Sequence, residues 1–357
     1  MHFWAAAIGS LPALLLCISG LILVFEDELQ AFEERAYSNV EAEERPLPIG
    51  ELLSEVQENT GAEPTYIALP SKPTQAALVG TEDRRYHFVN PYSGKINKST
   101  EAPAIAMRAV RVFHTSFFMG RFGTWIGIIS SLFLISLCLT GCYLFLKRRI
   151  SLVRKFRIKW SSPARRHYDL HAVSGFVTAI PILLIALSGA LIGLGAPWRD
   201  AILFLTGSEW KPRPKLQTPV ERAQWNFNYE ELLQIADAAA PADMYVESII
   251  LPRKTEDPIA LRFLYPWATR PASWAFINPS NGTLIEFHHH WDFEAGHLIH
   301  RLNRGFHSGE IYTEAMRWLW FRLMIIPFLL AYTGYQQWRR KRSIRASRNH
   351  PSRTLSQ

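Results

Sequence analysis

Four histidines in matched sequence contexts are the residues best able to do chemistry. His2 opens HFWAAAIGSLPALLLCISG and His171 opens HAVSGFVTAIPILLIALSG. Each stands ten residues before a proline (Pro12, Pro181) and eighteen before a glycine (Gly20, Gly189). His114 and His307 follow a shared Arg-x-x-Arg-x-Phe-His pattern. Each precedes a tryptophan by eleven residues (Trp125, Trp318) and a glycine by twenty-seven (Gly141, Gly334). Imidazole in or beside a bilayer is costly and tends to be functional or buried against a partner. Two equivalent imidazoles facing a twofold axis can share one ligand on that axis. A planar haem, taking one axial nitrogen from each face, meets that need. Two nitrogens per level are too few for a closed four-ligand zinc site. Arg111 and Arg304, three residues before their histidines, share a helix face with them and are placed for haem propionates. Arg108 and Arg301 lie six before. Arg322, inside a later apolar run, needs an anionic or polar partner. His167, four before His171, and His300, seven before His307, remain alternative ligands.

These residues need membrane helices to position them. Four stretches, roughly 3–25, 125–146, 172–195 and 318–338, reach the about 20 apolar residues that span a bilayer. The first lacks the basic n-region and cleavage site of a signal peptide and reads as a retained anchor; an upstream start is a second possibility for this end. The loop 147–166 has nine basic and no acidic residues, and the tail 339–353 has seven and none. Of the 31 acidic residues only Asp169 lies outside 26–113 and 196–317. Basic loops mark the cytoplasmic side. Both termini are therefore expected inside, and the two acidic segments outside. His2 and His171 then form an inner level and His114 and His307 an outer one. Taken as continuous helix, His114 to Gly141 is roughly 40 Å, which puts the outer level at or above the external interface.

The external segments follow one plan. LPIGELLSEVQEN (47–59) and NYEELLQIADAAA have helical spacing. YIALPSK, AALVGTE and YHFVNPYSGKI alternate as strands, as do YVESIILPRK, PIALRFLYPW and SWAFINPSNGTLIE. Each unit reads as a small antiparallel sheet of about three strands with one helix. The expected fold is an integral membrane protein, mainly α, with four transmembrane helices, two small α+β external units and an internal tandem duplication. Two helices per copy make the copies parallel about an axis along the membrane normal. The expected segments are helix 1 (1–29), unit 1 (30–107), helix 2 (108–147), a basic loop (148–166), helix 3 (167–195), unit 2 (196–296), helix 4 (297–340) and a basic tail (341–357). Ser19-Gly20, Thr140-Gly141, Ser188-Gly189 and Thr333-Gly334 recur in all four helices and read as small residues allowing close helix approach. Cys17, Cys138 and Cys142 lie in apolar runs and read as packing residues. His288-His289-His290, with His297 and His300, reads as a solvated loop, the other reading being a metal or substrate site.

HFW at 2–4, LLLCISGLILVFEDEL at 14–29, FHTSFFMG at 113–120, YDLHAVSGF at 168–176 and FHSGEIY at 306–312 occur in order along nearly the whole chain. Together they resemble the PepSY-associated transmembrane family, also called iron-regulated inner-membrane proteins. The resemblance implies PepSY-like units in the periplasm, b-type haems held by histidines, and ferric-siderophore reduction at a bacterial inner membrane. Some relatives append cytosolic flavin and nicotinamide domains; here a basic tail without a glycine-rich nucleotide motif follows the fourth helix. The chain also departs from the family in lacking a basic stretch before helix 1, which leaves His2 at its end.

The leading expectation is a haem-dependent ferric-siderophore reductase with two haem b groups. His2 and His171 would hold the inner one, His114 and His307 the outer. The donor would be a quinol or a separate cytosolic reductase, and the partners a ferric siderophore and the bilayer, not nucleic acid. Phe117, Phe118, Trp125 and Trp318 are candidates to line the cofactors. Two rival classes are a haem or siderophore transporter component and a non-redox regulatory anchor.

Overall fold

In the computed structural model, residues 2–266, 268–309 and 314–349 are described. Glu310, Ile311 and Tyr312 of the FHSGEIY motif and residues 350–357 of the tail lie outside them. The first half of the chain runs α1 (His2–Leu23), α2 (Glu26–Ser38), α3 (Ile49–Thr60), β1 (Pro64–Ala68), β2 (Ala77–Thr81), β3 (Tyr86–Val89), β4 (Ile96–Thr100), α4 (Ile105–Ser116) and α5 (Gly120–Leu146). After a short α6 (Leu152–Lys155) the plan recurs: α7 (Pro163–Leu194), α8 (Ala196–Thr206), α9 (Tyr229–Ala239), β5 (Tyr245–Ile250), β6 (Ile259–Tyr265), β7 (Ala268–Ile277), β8 (Leu284–His288), α10 (Ala295–Ser308) and α11 (Glu314–Asn349). The chain divides into a helical unit, Met1–Val24, Arg111–Gly195 and Glu314–Gln357, and a sheet unit, Phe25–Val110 and Ala196–Thr313.

Four helices of the helical unit are long and apolar enough to cross a membrane: His2–Leu23, Gly120–Leu146, Pro163–Leu194 and Ala315–Arg345. Among the described residues α1 and α7 each pack against α5 and α11. Apolar side chains on all sides suit such helices to a lipid surround. Pro163, at the first turn of α7, starts that helix where a missing N–H costs nothing. Asp169 is buried and satisfied: it accepts from the Lys159 backbone N–H and from Arg165 Nε, both at 3.2 Å. The acid thereby ties the basic loop to α7.

The expected single helix over 108–147 is broken. Phe117 and Phe118 have φ of +48° and +60°, which ends α4 before α5 begins. Left-handed backbone costs about 1–2 kcal/mol per residue outside glycine. The turn packs back on α5 so closely that a Cβ on Gly123 would stand 1.6 Å from the Ser116 carbonyl oxygen. Only glycine fits there.

The sheet unit also departs from expectation. Two separate sheets of about three strands are replaced by one antiparallel sheet of eight, ordered β4-β3-β2-β1-β5-β6-β7-β8. Strands β1 and β5 join the halves through Tyr66↔Ile250, Ile67↔Ile249 and Ala68↔Ser248. A small isolated sheet would leave a row of N–H and C=O groups unpaired at its inner edge; pairing the two inner edges removes both rows. The fourth strand of each half comes from the NPYSG and NPSNG turns, each of which closes a hairpin. In both, the first asparagine's Oδ1 accepts a backbone N–H two residues on, and Gly94 and Gly282 take φ near +70°. Helices α3 and α9 cover one face, burying Leu52, Leu53, Val56, Leu232 and Ala236 against Ile67, Val79, Ile249, Leu261 and Ala275.

Candidate functional site

The helical unit holds three of the four matched histidines, and each sits on a hydroxyl of a neighbouring helix. His2 on α1 places Nδ1 2.8 Å from Thr140 Oγ1 on α5. His114, at the end of α4, places Nδ1 2.8 Å from Ser19 Oγ on α1. His171 on α7 places Nδ1 3.0 Å from Thr333 Oγ1 and 3.0 Å from the Leu330 carbonyl oxygen, both on α11. The glycine after each hydroxyl makes room for the ring. A Cβ on Gly141, Gly20 or Gly334 would lie 3.5, 3.4 or 3.4 Å from the Cε1 of His2, His114 or His171.

The hydrogen bonds fix the tautomer. Thr140, Ser19 and Thr333 each donate their single hydroxyl proton to a carbonyl about one turn earlier. Each hydroxyl oxygen can therefore only accept from the histidine. For His171 the Leu330 carbonyl imposes the same direction. Nδ1 then carries the proton and Nε2 the lone pair, as second-shell partners arrange for ligating imidazoles. Among the described residues, Nε2 of neither His2 nor His171 has a hydrogen-bond partner.

His2 and His171 come together from α1 and α7. Their ring centroids are 6.3 Å apart and their planes 88° apart. Edge-to-face rings at such distances also occur as packing; the anchored Nδ1 and free Nε2 set this pair apart. Two imidazoles on opposite sides of one metal ion, at about 2.0–2.1 Å from each nitrogen, have ring centres roughly 6.4 Å apart. At that spacing His2 and His171 would be the residues to hold a single haem between them. Bound haem is a one-electron carrier whose potential responds to its axial ligands and their hydrogen bonds. The chain's own residues hold the two rings and set their tautomer.

The break after α4 corrects the expected level of His114. Its partner Ser19 lies on α1, about 26 Å along the helix from His2. That falls short of the roughly 40 Å expected for one straight helix. His307 belongs to the sheet unit, on α10.

Other candidates are sorted by their surroundings. His167 meets the ring of Tyr332 edge-on at 5.7 Å, and no hydroxyl is hydrogen-bonded to it among the described residues. His300 lies in the sheet unit against Trp210, its buried Nδ1 without a hydrogen-bond partner. Arg111 is half-buried and Arg304 exposed. Arg322 is exposed on α11 and has no carboxylate partner among the described residues. Phe118, Trp125 and Trp318 are 62%, 48% and 45% exposed, so they line no interior of the chain; Phe117 packs on Phe113. Arg301, instead of facing a histidine level, donates to the Ala272 carbonyl at 2.6 Å and covers Phe293.

The 288–300 histidines are not a solvated loop. His288, His290 and His297 are 5%, 1% and 3% exposed. His290 Nδ1 bonds Ser273 Oγ at 2.9 Å, and His297 stacks on Trp210 at 4.3 Å. Burial pushes His290 and His297 down to about 4. No group of three or more metal-ligating side chains forms among the described residues.

The functional residues that sequence reasoning missed are the hydroxyls Thr140, Thr333 and Ser19. Their signal was the recurring Ser/Thr-Gly pair, read there as helix contact. Among known proteins, the family described as PepSY-associated TM region matches residues 1–341. No curated protein matches the chain.

Proposed function

The chain belongs to the PepSY-associated TM region family, and from that premise we propose that it is an inner-membrane di-haem reductase. In this reading it passes electrons across the bilayer to Fe(III) held by a siderophore in the periplasm. A quinol or a separate cytosolic reductase is the donor. The observation that carries the reading is the His2–His171 pair, 6.3 Å apart, with both Nδ1 atoms anchored and both Nε2 atoms free. It supports the inner site. His114, seated on Ser19 about 26 Å along α1, is one ligand of the outer site. His307 is its partner on the sequence repeat alone, and Ser188-Gly189 is the fourth Ser/Thr-Gly pair.

The topology belongs to the same proposal. The basic loop after α5 and the basic tail lie in the cytoplasm, the sheet unit in the periplasm. Matched seats, matched NPxxG hairpins and the palindromic strand order support a tandem duplication. Hard oxygen donors hold Fe(III) far better than Fe(II), so one-electron reduction releases the metal and spares the chelator.

The test is an optical spectrum of the detergent-purified full chain, oxidised and then dithionite-reduced. Sharp low-spin b-type bands with two haems per chain are expected from bis-histidine ligation. A folded, colourless preparation that takes up no haem on reconstitution sinks the proposal.

A further inference from the structure

The face of the sheet opposite α3 and α9 is closed only in part, over Phe88, Leu264 and Phe276. It lines a cavity of about 1270 Å³ within the sheet unit. Ligand sites commonly span about 300–1,000 Å³, so this one takes a large molecule. Strand alternation sends Ile67, Val79 and Ile249 into the core and leaves their neighbours to face the cavity, among them Tyr66, Gly80 and Tyr86. Gly80 keeps the floor low between the two tyrosines: a Cβ there would lie 3.4 Å from both Tyr66 and Tyr86.

The charge of the lining is lopsided. Arg84, Arg85, Arg108, Arg213 and Arg253 face the cavity, and none forms an ion pair among the described residues. The acids of the lining are mostly engaged. Glu247 is paired with Arg262 at 3.0 Å and Asp257 with Lys215. Burial pushes Glu34 up to about 7, with Glu33 adding to the shift and Gln30 opposing it, so near neutral pH it carries only part of its charge. Tyr66, pushed up to about 12 chiefly by burial, presents an O–H and not a phenolate.

The β2–β3 turn is built to present two of these cations. Thr81 donates to Asp83, Asp83 accepts from the Arg85 backbone N–H, and Arg84 is held at φ +65°. Glycine or asparagine would take that backbone more cheaply. An arginine held at such a cost points to use.

We propose that this cavity binds an anionic, polyoxygenated aromatic ferric chelate of the tris-catecholate class. Guanidinium groups without a carboxylate partner among the described residues recognise the oxyanions, with Arg253 also on Thr65 and Arg213 over Trp274, and the tyrosine rings stack on the aryl groups. The assignment rests on the reductase reading for its iron and on the cavity for its charge preference. A neutral tris-hydroxamate complex offers the arginines nothing and is the weaker ligand.

The experiment is equilibrium dialysis of the purified full chain against two synthetic probes, a tripodal ferric tris-catecholate and ferric tris-acetohydroxamate. The catecholate is expected to bind roughly tenfold or more tightly, with the margin shrinking as salt rises. An Arg84→Ala/Arg85→Ala variant is expected to lose roughly tenfold for the catecholate and little for the hydroxamate. These side chains are exposed, and far-ultraviolet dichroism checks that the variant is folded. Equal binding of the two probes, an unaffected double variant, or displacement of the catecholate by phosphatidylglycerol at equal concentration overturns the assignment. Haem is measured on the same preparation. A haem-free protein that keeps the preference leaves the anion site standing and removes the reductase reading. A haem-loaded protein without it overturns the site alone.

Discussion

His87 of the sheet unit and the His2–His171 pair of the helical unit use their ring nitrogens in opposite ways. In the sheet unit His87 is 2% exposed and both its nitrogens are used: Nδ1 lies 2.8 Å from Ser99 Oγ and Nε2 3.1 Å from Thr81 Oγ1. In the helical unit His2 and His171 each commit Nδ1 to a hydroxyl and keep Nε2 uncommitted. A buried ring with both nitrogens bonded is a completed piece of packing. A ring with one nitrogen bonded and its tautomer fixed can offer the lone pair of the other to a metal, the role proposed above for His2 and His171. Neither burial nor abundance distinguishes the two kinds, since the sheet unit is the richer in buried histidine. The nitrogen count separates His87 from the His2–His171 pair, but it does not alone mark a ligand, since buried His290 also bonds through Nδ1 only among the described residues.

The sharpest way to break that comparison is to delete one ring of each kind. His171→Ala is expected to remove one of the two haems, cutting the reduced b-type absorbance by about half, as loss of an axial ligand requires. His87→Ala is expected to leave the haem bands intact. It should cost about 1–3 kcal/mol of stability by taking the His87 partner from the Ser99 hydroxyl, while Thr81 keeps Asp83. Pyridine-haemochrome titration reads the first and urea unfolding the second. A His171→Ala protein that keeps both haems would sink the inner site.

Acid should separate the units next. His290 and His297 are held neutral by burial, at about 4 in the folded chain against about 6.5 when unfolded. The unfolded chain therefore binds more protons between those values. The stability they confer is fully present above pH 6.5, falls as pH drops, and is gone below about 4. The loss amounts to at most about 3 kcal/mol per ring. Urea midpoints at pH 7.5 and 5 should show it, and His290→Asn should flatten the change. A midpoint equal at both pH values would contradict the burial of these rings.

Much of this was legible in the sequence. Long apolar runs announced the four spans, and histidine spacing announced the seats, because both are periodic in one dimension. The α4–α5 break was not legible. Phe117 and Phe118 have no turn chemistry of their own, and the signal was Gly123, whose reason is a backbone contact seen only in three dimensions. The joined sheet was hidden because β1–β5 pairing is long-range, and strand alternation is the same for an edge and a centre. The histidines 288–297 were misread because their polarity suggested solvent; distant in sequence, Ser273 bonds His290 and Trp210 stacks on His297.

The hydroxyl anchors offer a smaller and more selective perturbation. Thr140→Val removes the only hydrogen-bond partner His2 has among the described residues. Loss of such a second-shell partner commonly costs about 10–100-fold in affinity, and haem transfer to apomyoglobin would measure it. Thr333→Val should cost less, because the Leu330 carbonyl still holds His171 Nδ1 at 3.0 Å. Equal losses in the two variants would mean that the hydroxyls act through packing and not through the ring proton.

The smallest effect is expected at the glycines, where two roles of small residues can be told apart. Gly9 lies on α1 where a Cβ would stand 2.5 Å from Phe133 Cβ on α5. There the glycine serves helix contact, and Gly9→Ala must push the helices apart. Gly334 is different. Its added Cβ would lie 3.4 Å from His171 Cε1, the near edge of ordinary contact, and the ring can tilt by a few tenths of an ångström. Gly334→Ala should therefore keep full haem content and shift only the haem midpoint potential, since ligand orientation is one of the levers that set it. A redox titration beside a haem count reads both. Loss of haem in Gly334→Ala would mean that the seat cannot yield and that His171 is held by shape as much as by its hydrogen bonds. An unchanged potential would return Gly334 to the simpler role of letting α7 and α11 approach.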